Sequence, residues 1–430
     1  MPRFLISRNP IAGGSTGDLS PQRYANNDRN QRRSLQLRAE TTRILGSSAT
    51  QPPKLLPVDL IAGVKTHTKH MQMGSSSILF QNGNKTVVVL DLPRSLEEAQ
   101  ALSHRLRNVD PPKLKRLVSA APPTTPFPTP EPKAGNLVSA ASPAAQVAGL
   151  MTLAAAESAL AEIKQSHKGP WCLPRLCPRG ASSPPPPVGD DGVELDLSSF
   201  IIPEASRYLH GSIVSQRTAF FSDAPSSFNL MLIDPPWPNR SAKRKRGGYH
   251  PARNFESIRS LLTLIPVASH LAADGLVGVW VTNSPQAADL LTSSQGGLFA
   301  QWDVELVGEW TWLKVTTQGE PIVSPDSAWR KPWERLLISR KRGGQGGRPI
   351  GRKVIVTVPD VHSRKPSLRQ LFEEDGLVPP GYEALEVFAR NLTAGWWSWG
   401  DEVLLFQHRD HWKEPTEEGS RQSPVATLHL

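Results

Sequence analysis

The residues with the most specific chemistry are Asp234, Pro235, Pro236 and Trp237, which directly follow an apolar run at 229–233. An ionised carboxylate and a proline carbonyl can each accept a hydrogen bond from an amine, and proline offers no competing N–H. The proline rings fix φ, so the acceptors hold their direction before a ligand arrives. The indole of Trp237 adds a flat face on which a planar ring can stack.

An aromatic ring with an exocyclic amine suits these acceptors, and adenine is such a ring. Its amine is a weak nucleophile because the nitrogen lone pair is delocalised into the ring. A catalyst therefore has to hold the N–H groups while the nitrogen becomes tetrahedral. The same four residues also suit an ordinary turn that ends a strand, because Pro-Pro commonly breaks secondary structure.

Four consecutive cationic residues, Lys243, Arg244, Lys245 and Arg246, follow this motif and precede two glycines. As a loop over the mouth of a site, they could neutralise phosphates without reading base sequence, and the glycines would let the loop close on a substrate. A short Lys/Arg cluster is also the usual form of a nuclear localisation signal. A solvated basic loop is the third interpretation.

The composition suits a polyanionic partner without specifying one. The 430 residues carry a formal net charge of +10. Two cysteines, Cys172 and Cys177, allow one disulfide pair at most, which favours a reducing compartment. A zinc site there would lack two ligands, so no metal is expected. No run of eighteen apolar residues occurs, so neither a transmembrane helix nor a membrane partner is expected.

Composition also divides the chain into five segments. We expect a disordered basic tail at 1–74, a small hairpin and helix at 75–118, a Pro- and Ala-rich linker at 119–194, a globular domain at 195–412 and a tail at 413–430. Residues 1–43 hold eight arginines and no lysine, which is typical of a mitochondrial transit peptide. Prolines and glycines at 2, 10, 13 and 14 interrupt the amphipathic helix that such a peptide needs.

Two local patterns occur before the globular domain. Strand-like runs flank Asn82-Gly83, a hairpin turn signal, and Ser95 with Glu98 forms a capping-box pattern that predicts a helix through Arg107. An Ala-rich helical stretch at 144–164 can present one apolar stripe to the domain or to a partner protein. The stripe consists of Val147, Leu150, Met151, Leu153, Leu160 and Ile163.

Strand-like runs recur through the globular segment and alternate with helical patterns. The predicted strands lie at 229–233, 275–282, 303–315, 334–339, 353–358, 384–388 and 403–407, and the clearest helices at 255–271 and 284–292. This alternation predicts an α/β domain with a largely parallel sheet covered on both faces. Ligands of such sheets bind outside the carboxyl ends of the strands, where Asp234 falls.

Further segments follow the acidic motif and together resemble one family. They are Trp280-Val-Thr-Asn283, Glu309-Trp-Thr-Trp-Leu-Lys314, Lys331-Pro-Trp-Glu334, His362-Ser-Arg-Lys-Pro366, Leu385-Glu-Val-Phe-Ala-Arg-Asn391, Gly395-Trp-Trp-Ser-Trp-Gly400 and Phe406-Gln-His408. In this order they resemble the MT-A70 family of adenine amino-methyltransferases, in particular the branch typified by methyltransferase-like protein 4. The resemblance covers roughly residues 200–410.

The resemblance implies a Rossmann-like fold that uses S-adenosylmethionine to methylate the N6 amine of adenine in nucleic acid. RNA is the implied substrate, as 2′-O-methyladenosine of a small nuclear RNA, and DNA adenine is the alternative. A catalytically silent nucleic-acid-binding subunit is the other alternative. Nuclear residence is expected from the family and the basic run, and a mitochondrial location is the alternative.

Four residues are implied as cofactor ligands within the matching motifs. Lys365 would pair with the methionine carboxylate, Glu386 would accept from a ribose hydroxyl, and Arg390 and Asn391 would complete the nucleoside contacts. Each also has an ordinary interpretation. Lys365 could be solvated, Glu386 could pair with Arg390 four residues on, and Asn391 could occupy a turn.

Other positions complete the implied site. The backbone at Ser212 and Ile213 resembles the stretch that contacts the cofactor adenine, and Lys331 lies on the substrate side. Family members commonly have Asn where this chain has Asp401, which can accept but not donate a hydrogen bond. Among the tryptophans, Trp333 and Trp397 fall on predicted loops and are candidates for walls of the base pocket.

Overall fold

The computed structural model describes residues 76–102, 114–129, 143–177, 196–238, 254–327, 330–344 and 348–415. The predicted tail at 1–74 and the basic run Lys243–Arg246 lie outside the described residues. The strands are β1 (Ile78–Gln81), β2 (Val87–Leu90), β3 (Arg116–Leu117), β4 (Arg207–His210), β5 (Phe228–Ile233), β6 (Leu271–Val281), β7 (Val304–Lys314), β8 (Trp333–Lys341), β9 (Lys353–Thr357), β10 (Ala384–Val387), β11 (Trp397–Gly400) and β12 (Trp412–Lys413). The helices are α1 (Leu92–Ala99), α2 (Pro143–Ser166), α3 (Arg217–Asp223), α4 (Phe255–Thr263), α5 (Val267–His270), α6 (Pro285–Thr292), α7 (Leu298–Gln301) and α8 (Arg369–Glu374).

One ten-stranded sheet organises the described part of the chain, in the order β1-β2-β9-β7-β8-β6-β5-β10-β11-β4. Its strands pair in parallel except where β1 meets β2 and where β8 meets β6 and β7. Helices cover both faces, so the predicted α/β domain with a largely parallel sheet is confirmed. The short β3 and β12 form a separate antiparallel pair.

Alternation of side chains along the strands sorts the core onto two faces. Met231 and Ile233 of β5 pack on the first face, with α3, α4, α5, α6 and α7. Leu230 and Leu232 pack on the second face, with α1 and α8. Successive strand residues point to opposite sides, so a strand buried on both faces is apolar throughout. The continuous apolar run 229–233 is explained by this double burial.

The segments before residue 196 are built into the same sheet. β2 pairs in parallel with β9, so that Val88 lies opposite Ile355. Helix α2 covers the first face at this end of the sheet with four buried apolar side chains: Ala156, Ala159, Leu160 and Ile163. The predicted apolar stripe of α2 therefore docks only through its C-terminal part, because Val147, Leu150 and Met151 are exposed.

Two local predictions were wrong, and two strands were missed. Residues 403–407 form successive turns, in which the N–H groups of Leu405 and Gln407 donate to carbonyls three residues earlier. The apolar pattern there reflects burial within those turns. Strands β4 and β11 were not predicted at all. Helix α1 begins at Leu92 rather than at the predicted capping box, because the Asp91 carboxylate caps it by accepting from Arg94 N–H.

Candidate active site

The carboxyl ends of the parallel strands meet at one edge of the sheet, which we call the catalytic edge. β5 ends there at Asp234, whose N–H donates to the Val387 carbonyl at the end of β10 at 3.1 Å. β4 and β11 end beside them, where the Gly211 N–H donates to the Gly400 carbonyl at 3.2 Å. β8 runs the opposite way, so its first residues reach the same edge.

Asp234 is held by one lysine. The Lys365 ammonium donates to both carboxylate oxygens of Asp234, each at 2.9 Å. It also lies 3.3 Å from the Glu334 carboxylate. Burial disfavours the charge on Lys365, but the carboxylates of Asp234 and Glu334 outweigh this effect and raise its pKa. Lys365 is therefore a fixed cation at the catalytic edge.

Glu334 continues this network towards β7. Its carboxylate accepts a hydrogen bond from Lys314, the last residue of β7. Burial alone would raise the pKa of Glu334, but Lys314 and Lys365 together lower it to about 2. The Lys314 ammonium also lies 4.2 Å from the ring centroid of Trp312. Two cations and two anions thus alternate from Lys314 to Asp234.

Strand register explains why these groups meet. Asp234 follows Leu232 by two residues and therefore leaves β5 on the second face. Glu386 lies opposite Leu232 and shares that face. Further along the sheet, beyond β6, Glu334 lies opposite Trp312, which also belongs to the second-face core. The polar groups of the site therefore converge on the second face.

Glu386 differs electrostatically from the other carboxylates of the site. Burial, reinforced by the nearby Asp234 carboxylate and only partly offset by Lys365, raises the pKa of Glu386 to about 8. Among the described residues, no hydrogen-bond donor to this carboxyl is found. A half-buried carboxyl with unused acceptors suits a ligand that brings its own donors, such as a ribose with two hydroxyl groups.

The Pro-Pro-Trp part of the motif forms a tight turn. The Trp237 N–H donates to the Pro235 carbonyl at 2.7 Å, which leaves that oxygen one further lone pair. The Trp237 indole N–H donates to the Trp280 carbonyl at 2.7 Å, and its ring is only 4% exposed. In this conformation the Trp237 ring packs in the core and fixes the turn there. Stacking of this ring on a base therefore stays a prediction.

The loops after β10 and β11 carry three of the predicted cofactor ligands. Arg390 Nε donates to Glu402 at 2.8 Å and Nη1 to the Ser363 carbonyl at 3.2 Å, so it ties two loops of the site together. Asn391 is half-buried and Asp401 is exposed. Direct contacts of these three residues with the cofactor stay predictions.

The turn after β4 lies beside these loops. Ser212 Oγ accepts from the Ser215 N–H at 3.0 Å, and Ile213 is buried in the first-face core. Gly400 closes this corner with φ of +154°, and a Cβ there would lie 3.0 Å from the Phe388 Cα. Only glycine allows this approach, which brings the ends of β10 and β11 together.

The substrate-side predictions have mixed outcomes. Lys331 donates to the Pro325 carbonyl at 2.8 Å, and partial burial lowers its pKa. Its predicted contact with nucleic acid stays a prediction, as do the predicted phosphate contacts of the basic run at 243–246. Trp333 and Trp397 do not lie on loops as predicted, because they begin β8 and β11, and both side chains are buried in the first-face core. Their role as walls of the base pocket stays a prediction.

Two other aromatic rings lie beside the Lys365 ammonium. The Lys365 ammonium lies 5.5 Å from the ring centroid of Trp280 and 6.0 Å from that of Trp312. Sequence reasoning missed both rings and Lys314, and it left the role of Glu334 unassigned. Each lies in a motif that carried the family resemblance. The missing signal was the strand order, which brings β7 and β8 beside β5 and β6.

The described residues include neither a metal-binding cluster nor a membrane-spanning helix. Within those ranges, no group of three or more His, Cys, Asp or Glu side chains is arranged to hold a metal ion. None of the helices in the described ranges combines the length and the apolar character needed to cross a bilayer.

Comparison with known proteins places these residues in a family. The MT-A70 family model matches residues 228–402, which include Asp234, Glu334, Lys365 and Glu386. The chain is 50% identical over 340 residues to the N6-methyladenosine RNA methyltransferase MTA1 of Cryphonectria parasitica. This alignment covers 79% of this chain and 94% of that protein.

Two further relatives extend the comparison. The MTA1 protein of Pyricularia oryzae is 44% identical over 373 residues, covering 79% of this chain and 96% of that protein. The N(6)-adenine-specific methyltransferase METTL4 of Mus musculus is 34% identical over 258 residues, covering 52% of each chain. The Asp-Pro-Pro-Trp turn of this chain lies at the carboxyl end of a central strand. This chain belongs to the MT-A70 family of methyltransferases.

Proposed function

We propose that this chain transfers a methyl group from S-adenosylmethionine to the exocyclic N6 amine of adenine in RNA. The observation that carries the proposal is Asp234, a carboxylate fixed at the catalytic edge beside the Pro235 carbonyl. These are two hydrogen-bond acceptors and no donor, which matches an amine with two N–H groups. The family membership supports the same reaction.

Asp234 and Pro235 act on the amine in two ways. They accept its N–H groups and so orient the nitrogen lone pair towards the methyl group, and positioning of this kind supplies much of a rate enhancement. The Asp234 carboxylate then takes the proton that the nitrogen loses. Because Lys365 occupies both Asp234 oxygens in this structure, the amine has to share or displace that ammonium.

The residues present fit S-adenosylmethionine on chemical grounds. The cofactor offers a carboxylate to the Lys365 cation and ribose hydroxyl groups to the unused acceptors of Glu386. When bound, it supplies a methyl group already activated by the sulfonium charge. A contact of Lys365 with the cofactor carboxylate would draw the ammonium away from Asp234, while Glu334 retains it at the edge.

RNA is the proposed substrate because the two fungal relatives that match over most of their length are named N6-methyladenosine RNA methyltransferases. Within RNA, 2′-O-methyladenosine of a small nuclear RNA is the specific target suggested by resemblance to the METTL4 branch. The predicted basic loop at 243–246 would contact phosphates. Nuclear residence belongs to the same proposal and is supported by that basic run.

Transfer of tritiated methyl groups tests the proposal. The substrates are single-stranded oligonucleotides of one sequence: RNA with adenosine, RNA with 2′-O-methyladenosine at that position, and DNA. We expect label in RNA and its loss when the target adenine is replaced by guanine. Label in DNA alone would overturn the assignment to RNA.

Label in none of the three, with cofactor binding intact, would indicate a silent subunit or the need for a partner protein. The exposed Val147, Leu150 and Met151 of α2 form one surface of the N-terminal half that such a partner could cover. A chain that binds no cofactor would contradict the methyltransferase proposal itself.

The elevated pKa of Glu386 predicts that cofactor binding depends on pH. If the ionised carboxylate accepts from the ribose, binding below about pH 8 requires loss of a proton. Affinity should then rise by up to about tenfold per pH unit towards pH 8 and level off above it. Calorimetry in two buffers of different ionisation enthalpy measures this as proton release.

Glu386→Gln is the control for this prediction, because it preserves shape and removes the titration. The variant should bind with a flat pH profile and without proton release. An unchanged pH dependence in Glu386→Gln would show that another group titrates.

A further inference from the structure

The loop that carries Lys365 begins at Val358, directly after β9, and is held by a segment far away in sequence. Arg175 Nη2 donates to the Val358 carbonyl at 2.7 Å, and Nη1 donates to the Pro359 carbonyl at 2.8 Å. The same Nη1 donates to the Ala120 carbonyl at 3.2 Å. One guanidinium thus joins the start of the loop to the chain at residue 120.

Asp360 makes a second connection between the same parts. Its carboxylate accepts from the Ala120 N–H at 2.7 Å and from the Arg364 guanidinium. Arg175 lies 3.9 Å from the Asp360 carboxylate, and the side chains of both are at most 2% exposed. A buried charge is costly unless it is paired, so each group of this cluster depends on the others.

The loop between this anchor and Lys365 is strained. Ser363, two residues before Lys365, has φ of +72°, in the left-handed region that non-glycine residues avoid. Such a conformation persists only where the surrounding structure over-determines it. The Asp360–Arg364 pair and the contact of Arg390 with the Ser363 carbonyl provide that constraint. These contacts link the backbone beside Lys365 to the anchor at Arg175.

The other side of the loop is also held from before residue 196. The Ser367 N–H donates to Ser95 Oγ of α1 at 3.1 Å, and Arg369 donates to the Glu98 carbonyl at 2.7 Å. Residues before and after Lys365 are therefore hydrogen-bonded to parts of the chain outside the segment 228–402 that matches the family model.

We propose that Arg175 is a positioning residue that places the Lys365 ammonium for recognition of the cofactor carboxylate. The inference rests on the proposed function, in which Lys365 pairs with that carboxylate. Arg175 acts through backbone carbonyls and Asp360, and it touches neither the cofactor nor the substrate. No other guanidinium in the described part of the chain donates to the carbonyls of Val358 and Pro359.

Two ligands that differ in the carboxylate provide the test. S-adenosylhomocysteine carries it, whereas decarboxylated S-adenosylhomocysteine has the same nucleoside, thioether and ammonium group without it. With the full chain and calorimetry, Arg175→Ala should weaken binding of S-adenosylhomocysteine by about tenfold or more and binding of the decarboxylated ligand by less than about twofold. A merely structural role would weaken both ligands together, which would overturn the inference.

Three variants complete the design. Arg175→Lys keeps the charge but cannot serve both carbonyls in the same geometry, so it should give a smaller selective loss if Arg175→Ala folds poorly. Arg116→Ala is the matched control, because Arg116 donates to the Pro174 carbonyl, next to Arg175, at 2.8 Å. It should leave the ratio of the two affinities unchanged. Lys365→Met should abolish the preference for S-adenosylhomocysteine.

The outcomes separate the inference from the proposed function. If wild type shows no preference, or if Lys365→Met keeps it, the role of Lys365 in the proposed function fails and the inference fails with it. If Lys365→Met loses the preference and both Arg175 variants keep it, the proposed function stands and the inference about Arg175 is wrong.

Discussion

Asp234→Ala is expected to lower kcat for methyl transfer by about 10²–10³-fold, the usual cost of removing one preorganised polar group that acts in the transition state. The variant should still fold, because Lys365 keeps its partner Glu334 at 3.3 Å. Cofactor affinity should change little, whereas the amine loses its charged acceptor. Single-turnover methyl transfer at saturating cofactor isolates this effect from binding.

Asp274→Ala is the matched control for this experiment. Asp274 is an exposed residue near the amino-terminal end of β6, at the edge of the sheet opposite Asp234. Its removal should leave kcat unchanged, as is usual for surface substitutions. Methyl transfer by Asp234→Ala at the wild-type rate would remove the observation on which the proposed function depends.

A fragment that begins at residue 196 is expected to lose both cooperative folding and activity, although it contains the entire segment matched by the family model. Eight Val, Leu and Ile side chains that are at most 6% exposed precede that point in the described chain: Val87, Val88, Val89, Leu90, Leu92, Leu96, Leu117 and Ile163. At about 1.5 kcal/mol each, their burial contributes about 12 kcal/mol. This is comparable with the whole stability of a typical domain, about 5–15 kcal/mol.

The comparison for this truncation is a fragment of residues 76–430, which keeps every described element. It should show a cooperative thermal transition and bind S-adenosylhomocysteine, whereas 196–430 should do neither. Full activity in the shorter fragment would mean that the core formed by β2, α1 and α2 is dispensable.

The sequence was most informative about the centre of the sheet. The strands around Asp234 are apolar throughout because both of their faces are buried, and this pattern is visible without a structure. The position of Asp234 at a carboxyl end follows from the α/β pattern alone. Burial of a strand and the position of its end can be predicted from neighbouring residues alone.

Strand order was not visible in the same way. β2 joins β9 through backbone hydrogen bonds, which almost any residue can make, so no sequence pattern specifies that partner. Prediction of the charge network also requires the strand order. Glu334 and Lys314 connect to Asp234 through Lys365 only when β8 and β7 follow β6 in the sheet. Arg175 was hidden in a Pro-rich stretch whose composition resembles a linker. Its role depends on burial, which composition does not report.

The reversed direction of β8 has a practical consequence for protein engineering. β8 starts at the catalytic edge and ends at Lys341, at the opposite ends of the strands, where the chain turns at Gly343. A Cβ added at Gly343 would have no neighbouring atom within 4 Å, so this turn faces open space. A short epitope or fluorescent label inserted there would lie a full strand length from the chemistry. It could report on the protein in cells without touching the residues that methylate.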